Sequence, residues 1–184
     1  MKEISLENLK KHSNSIQSNL QFYNAIGQPL VDEYCKDLDE KVAAISSYVS
    51  QIRALNLEFD VPSLQRICME LSSVIYYTND KYEKMSLLED MARKTYKDKY
   101  NEVYLSKQGK AKLEDRDYTK DQLKALADQE SVEEELIHFI YQHAAGTIKS
   151  KIESAQELLK SCSKSLSGCI ESMKQFNVGG TRNL

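Results

Sequence analysis

The chain has 184 residues, of which 41% are hydrophobic, and a formal net charge of -3 at pH 7. It contains six glycines, two prolines and no tryptophan, which are too few turn-forming residues for the many strands of a β-sandwich or β-barrel. The composition therefore argues against an all-β fold and favours an all-α protein, an elongated helical bundle.

The first predicted helix runs from about Ser5 to Ala25 and ends at Gly27 and Pro29, two residue types that commonly terminate helices. A second helix follows, in which apolar residues recur at intervals of three and four. These residues are Leu30, Tyr34, Leu38, Val42, Ile45, Val49, Ile52 and Leu55. We expect residues 1–56 to form an N-terminal helical hairpin.

Residues 57–175 are predicted to form a long antiparallel helix hairpin with a polar loop near 109–118. Asp60 is placed to cap its first helix, and Pro62 suits the first turn of that helix. The sequence TNDKYE, residues 78–83, is the one place where a capping-box spacing could interrupt it.

Another capping box, Thr119 with Gln122, is predicted to open the second long helix, which should continue through Cys169. Residues 176–184 are expected to be a flexible tail. Helices this long with a narrow apolar stripe leave much of that stripe uncovered in a monomer. We therefore expect a homo-oligomer.

No apolar run approaches the roughly 20 residues that span a bilayer, and the chain start lacks the apolar centre of a signal peptide. We expect a cytoplasmic protein without a membrane partner. The four cysteines show no CxxC or zinc-ligand spacing, so reduced core thiols are expected. They are Cys35, Cys68, Cys162 and Cys169.

The sequence offers little for catalysis. Glu135-x-x-His138 is half of the pattern that four-helix di-iron proteins require twice, and the second copy is missing. The motifs GxxxxGK[ST], GxGxxG and GxSxG do not occur. We expect no cofactor, no metal site and no enzymatic activity.

Charge is distributed unevenly along the chain. Met91–Leu113 carries seven basic and two acidic residues, whereas Glu114–Glu135 carries nine acidic and three basic residues. Such blocks could pair between subunits or keep a nucleic-acid site away from acidic surfaces. They could also be ordinary solvated helix faces.

Three tyrosines follow one another at intervals of four within the basic block. They are Tyr96, Tyr100 and Tyr104. On a helix they span about 80°, and Arg93, Lys97 and Lys107 fall close to the same face. Cations that neutralise phosphates beside rings that stack on bases suit single-stranded nucleic acid. Alternatively, the tyrosine rings pack inward and the lysines snorkel beside them.

The order YKDKYNEVY, a polar loop, DYTKDQLKALAD and SVEEELIHFIYQHAAGTIKSKIESAQELL resembles the UvsY-type recombination mediators of tailed phages. The resemblance covers roughly residues 91–159. The matching positions are Tyr100 or Tyr104, Tyr118 with Lys120, Ala127 with Asp128, and Ile148, Lys149, Ser150 and Lys151.

The resemblance implies a ring-forming, non-enzymatic oligomer that binds single-stranded DNA, in the host cytoplasm if the chain is phage-encoded. It would help to load a RecA-like recombinase onto DNA covered by single-strand binding protein. The expected DNA-binding residues are Arg93, Lys94, Tyr96, Lys97, Lys99, Tyr100, Tyr104, Lys107, Lys110, Lys112, Lys149 and Lys151. The alternative is a helical structural or protein-interaction module, such as a phage virion or scaffold component or an inhibitor of a host protein.

Overall fold

The computed structural model describes residues 16–55, 57–113 and 118–179, without the side chains of 111–112 and 176–179. The described residues are helical apart from short connections and contain no strand, so the all-α prediction is confirmed. In chain order the elements are α1 (residues 16–22), a π-helical turn (Tyr23–Gly27), α2 (Gln28–Ala54), α3 (Val61–Leu113), α4 (Lys120–Glu130) and α5 (Val132–Gly179).

The helix does not end at Gly27 and Pro29, so this prediction is wrong, and with it the expected turn of an N-terminal hairpin at that point. The backbone stays helical because Tyr23–Gly27 forms a wider π turn, in which the Gln28 N–H donates to the Tyr23 carbonyl. A proline inside a regular α-helix clashes with the carbonyl four residues earlier. The wider turn displaces the preceding carbonyls, and the chain therefore passes through Pro29 without a break.

Two local capping predictions are confirmed. The Ser63 N–H donates to the Asp60 carboxylate over 2.8 Å at the start of α3. The Gln122 N–H donates to the Thr119 hydroxyl over 3.3 Å, and the Thr119 N–H donates to the Gln122 side chain over 2.9 Å. This reciprocal box satisfies two backbone donors at the start of α4.

Helix α3 is longer than expected. It passes through residues 78–83 without interruption, and the buried Thr78 hydroxyl donates to the Val74 carbonyl. It also continues past Gly109 to Leu113, so the predicted start of the loop at Gly109 is wrong. A single glycine costs a helix only about 1 kcal/mol, which neighbouring residues can offset.

The second long helix is interrupted at Ser131, where one continuous helix was expected. Ser131 has φ -112° and ψ 16°, and both its N–H and its hydroxyl donate to the Ala127 carbonyl. Its own carbonyl accepts the N–H of Glu135, so one buried residue ends α4 and begins α5.

The chain divides into two compact units. The tyrosine unit comprises the described residues up to Val31 together with Glu83–Gly146. The three-helix unit comprises Asp32–Tyr82 and the described residues from Thr147 onward. Helices α2, α3 and α5 each contribute residues to both units.

In the three-helix unit, buried residues of α2, α3 and α5 recur at intervals of three, four or seven, as in helices packed by heptads. They are Cys35, Leu38, Ile45 and Ile52; Leu64, Leu71, Ile75 and Thr78; and Ile148, Ile152, Ala155 and Cys162. Ion pairs at the edge of this core join α2 to α3 through Lys41 and Glu70, 2.6 Å apart, and α2 to α5 through Asp39 and Lys151.

All four cysteines are free thiols, two of them buried and two half-buried, which confirms the expectation of unpaired thiols in or beside the core. Burial raises the pKa of the Cys35 and Cys162 thiols. Both groups are therefore held in the neutral, unreactive form.

The core of the tyrosine unit contains several alanines, which let helices approach closely. Its buried residues include Met85, Ala92, Val103, Leu123, Ala127, Ile140, Ala144 and Ala145. At the buried Gly27, an added Cβ would lie 2.6 Å from the Tyr23 ring and 3.3 Å from the Ile140 side chain. This close approach requires glycine for reasons of space.

Candidate nucleic-acid interface

The three tyrosines of α3 lie at the border between core and solvent. Ala92 and Val103 are buried on the same helix, whereas Tyr96, Tyr100 and Tyr104 are half-buried. A step of four residues turns an α-helix about 40° past a full turn, so the series moves gradually away from the core face. The rings are therefore partly packed and partly open to solvent, and each of the two sequence interpretations describes part of their surroundings.

Tyr96 contacts an aromatic ring on another helix. Its ring stacks nearly parallel to that of His138 on α5, with centroids 6.3 Å apart and planes 10° apart. The ring centroid of Tyr100 lies 6.3 Å from that of Tyr96, with an interplanar angle of 59°. The His138 contact fixes Tyr96 in place before any ligand arrives, which reduces the entropy lost on binding.

The environment keeps the Tyr96 hydroxyl neutral. Burial raises its pKa, and the nearby carboxylates of Glu135 and Asp128 raise it further. The phenol therefore remains protonated at ordinary pH and can donate a hydrogen bond.

A groove of about 380 Å³ opens beside these rings. Tyr96, Lys97, Tyr100 and Asn101 line it from α3, and Asp128 lines it from α4. Two apolar ring surfaces, an amide, a cation and an anion thus meet in one depression. Its volume lies within the range of about 300 to 1,000 Å³ that is usual for small-molecule sites.

The predicted cations of the basic block, residues 91–113, fall into two groups. Among the described residues, Lys94, Lys97 and Lys110 are exposed and form no ion pair. The other described cations are each paired within the chain: Arg93 with Asp90, Lys99 with Glu102 at 3.7 Å, and Lys107 with Glu130 at 2.6 Å. The side chain of Lys112 lies outside the described residues.

Glu130 on α4 partly neutralises the basic end of α3. The hydrogen bond from Lys107 lowers the pKa of Glu130, and the charges of Lys110 and Lys99 lower it further. The same bond raises the pKa of Lys107. Lys107 is the ion-pair partner of Glu130, whereas Lys110 forms no ion pair with a described residue and can act on an external anion.

Lys149 and Lys151 belong to the three-helix unit and not to the tyrosine unit. Lys149 is exposed, whereas Lys151 is half-buried and paired with Asp39. The structure therefore does not bring them into the same unit as the basic end of α3. Their assignment to DNA remains a prediction.

Sequence reasoning missed several residues of this site. Asn101 lies one turn after Lys97 and could have been found from that spacing, and Asp128 was named only through the resemblance. His138 was considered as half of a metal motif, but its ring stacks on Tyr96 and its buried Nε2 has no hydrogen-bond partner among the described residues. In the part of the chain that the structure describes, no three His, Cys, Asp or Glu side chains gather as a metal site would require.

None of the helices, over the residues described, combines the length and apolarity needed to cross a membrane. Comparisons of this chain with protein-family models, with curated proteins and with solved structures found no match.

Proposed function

We propose that this protein is a non-enzymatic single-stranded-DNA-binding protein that acts as a recombination mediator in the host cytoplasm. The observation that carries the proposal is the groove in which the Tyr96 and Tyr100 rings lie beside the unpaired Lys97. Bases of any sequence can stack on tyrosine rings, worth about 1 to 3 kcal/mol per base. Lysines that form no ion pair with a described residue can neutralise phosphates without first breaking such a pair.

The mechanism would be physical binding through many subunits. Each chain contributes a few weak contacts, and an oligomer converts them into avidity along one strand. By holding the strand, such an oligomer would help a RecA-like recombinase to displace single-strand binding protein. The resemblance of residues 91–159 to UvsY-type mediators supports this part of the proposal.

The direct test is fluorescence anisotropy of a labelled oligothymidine at about 50 and 200 mM salt, with a duplex of equal length as competitor. We expect strand-selective binding that weakens steeply with salt. Absence of binding at the lower salt concentration would refute the proposal. Recombinase loading onto protein-covered DNA then tests the mediator role separately.

A second candidate function is that of a helical protein-interaction module. Leu87, Met91 and Leu105 are exposed on α3 and fall within about 40° of one another, about 100° to 160° from the buried Ala92 and Val103. Lys94 and Asp98 lie on the same face between Met91 and Leu105, so this surface mixes apolar and charged residues, as protein interfaces commonly do. It could join copies of this chain, as the mediator proposal requires, or it could bind another helical protein.

Salt separates the two candidates. Association through the apolar side chains of Leu87, Met91 and Leu105 persists at high salt, whereas DNA binding through lysines does not. Light scattering at about 1 M salt, combined with the anisotropy titration, therefore reports on each function independently. An oligomer that binds no DNA would favour the interaction module.

A further inference from the structure

The groove beside Tyr96 contains an acid that general phosphate binding does not explain. Asp128 is exposed and forms no ion pair with any described residue, and it lines the groove together with Lys97. A carboxylate repels a phosphate, so it would weaken a site that served only the backbone of a strand. An ionised carboxylate accepts hydrogen bonds and cannot donate them, and its natural partners in DNA are the N–H groups of the bases.

The four bases differ in what they offer a carboxylate. On its Watson–Crick edge guanine presents two adjacent donors, the ring N1–H and the exocyclic amino group, which match the two oxygens of one carboxylate. Adenine and cytosine present one amino group each beside an acceptor, and thymine presents one N–H between two carbonyls that repel the carboxylate. Two parallel charge-assisted hydrogen bonds are stronger and more specific than one.

The remaining groove residues fit the rest of a nucleotide. The Tyr96 and Tyr100 rings provide apolar surface for a base, and the His138 contact holds Tyr96 in position. Lys97 lies on α3 beside Tyr96 and can reach a phosphate, while Asn101 offers both a donor and an acceptor one turn later.

Resting on the proposed DNA-binding function, we propose that this groove binds one guanine base of a single strand, with the Asp128 carboxylate accepting the two Watson–Crick donors. The chain would then prefer guanine-containing strands while still binding oligothymidine through its lysines and rings. The preference for guanine would come from the Asp128 carboxylate, and the general affinity for single strands would come from the lysines and the tyrosine rings.

The test compares labelled strands of alternating thymine and guanine, alternating thymine and hypoxanthine, and thymine alone. Alternation avoids the guanine runs that form quadruplexes. We expect the guanine strand to bind about 5- to 100-fold more tightly than the thymine strand. Hypoxanthine lacks the amino group, so its strand should bind with intermediate affinity.

The decisive variant is Asp128→Ala, which removes both carboxylate oxygens and introduces no other hydrogen-bonding group. It should abolish the guanine preference, and oligothymidine should bind slightly more tightly because a negative charge is lost. Asp121→Ala is the matched control, because Asp121 is an exposed acid on the same helix and outside the groove. The control should retain the preference.

Equal binding of all strands, or a preference that survives in Asp128→Ala, would overturn the guanine assignment and leave DNA binding intact. If no strand bound at low salt, the proposed function would fail together with the assignment. Deoxyguanosine monophosphate serves as a competitor for the labelled strand. Displacement of the strand at micromolar nucleotide would indicate a site for free nucleotides and overturn the assignment to a DNA strand. Failure of the nucleotide to displace the strand would support that assignment.

Discussion

The division of the basic block into paired and unpaired lysines makes a quantitative prediction. In the triple variant Lys94→Ala, Lys97→Ala and Lys110→Ala, the three described cations of this block that have no partner are lost. For single strands, each phosphate contact contributes about 0.7 to the slope of log affinity against log salt concentration. Loss of three contacts should therefore reduce the slope by about 2.

Over a fourfold rise in salt concentration, this difference corresponds to a factor of about 20 in affinity. The wild-type protein should thus lose about 20-fold more affinity than the variant between roughly 50 and 200 mM salt. Anisotropy titrations with oligothymidine at four or five salt concentrations would measure both slopes.

The matched control is Lys36→Ala, Lys164→Ala and Lys174→Ala. These lysines are also exposed, and the change in net charge is the same, but all three belong to the three-helix unit. The control should lower affinity only slightly and leave the slope near its wild-type value. If the first triple variant kept its helical circular dichroism and showed an unchanged slope, the assignment of these lysines to phosphates would be refuted.

The remaining predictions concern stability and reactivity. Gly27→Ala should lower the free energy of unfolding by about 1 to 3 kcal/mol, because the added Cβ meets the Tyr23 ring. Gly146→Ala should raise it by about 0.5 to 1 kcal/mol, because no atom lies within 4 Å of the added Cβ. Urea melts measure both changes, and stabilisation by both would contradict the packing argument. Hydrogen bonds from Ser63 lower the pKa of Asp60. The ionised Asp60 carboxylate therefore stabilises the fold above the ordinary carboxyl pKa, and this stabilisation is lost as the pH falls through the lowered pKa. Asp60→Ala should flatten this acid dependence in unfolding measured between about pH 2 and 6, and an unchanged acid limb would argue against the cap. In the native protein the half-buried Cys68 should react with a thiol reagent faster than Cys35, because Cys35 is buried and its burial raises the pKa of the thiol. Equal reaction rates would show that the core opens readily.

Local sequence signals predicted the structure well where the interacting residues are neighbours in the chain. The caps at Asp60 and Thr119 are of this kind, since donor and acceptor lie three residues apart. The break at Ser131 was missed because the same side chain can end one helix, begin another or sit within a longer one. Burial of that serine against Ala127 decides between these possibilities, and burial depends on the tertiary fold.

The candidate site shows the same limit. The helical spacing of Tyr96 and Tyr100 on a shared face was predictable from the periodicity alone. How deeply each ring is buried was not, because Tyr96 meets His138 on a distant helix and the groove is completed by Asp128 on another. Ion pairing between Lys107 and Glu130 likewise depends on how α4 folds back on α3, which no spacing within either helix specifies.

The wide turn at Tyr23–Gly27 explains an irregularity in the apolar pattern. Tyr23, Gly27, Val31 and Cys35 follow at three successive steps of four, which in a regular α-helix would rotate the apolar face by about 120°. A π turn uses an additional residue per turn and offsets most of this rotation. The turn thus accommodates one inserted residue within the helix without forming a loop. Deletion of a single residue from this turn would rotate residues 16–22 by about 100° around the helix axis. The extra residue therefore keeps Gly27 and Val31, which are both buried, on one face of the helix.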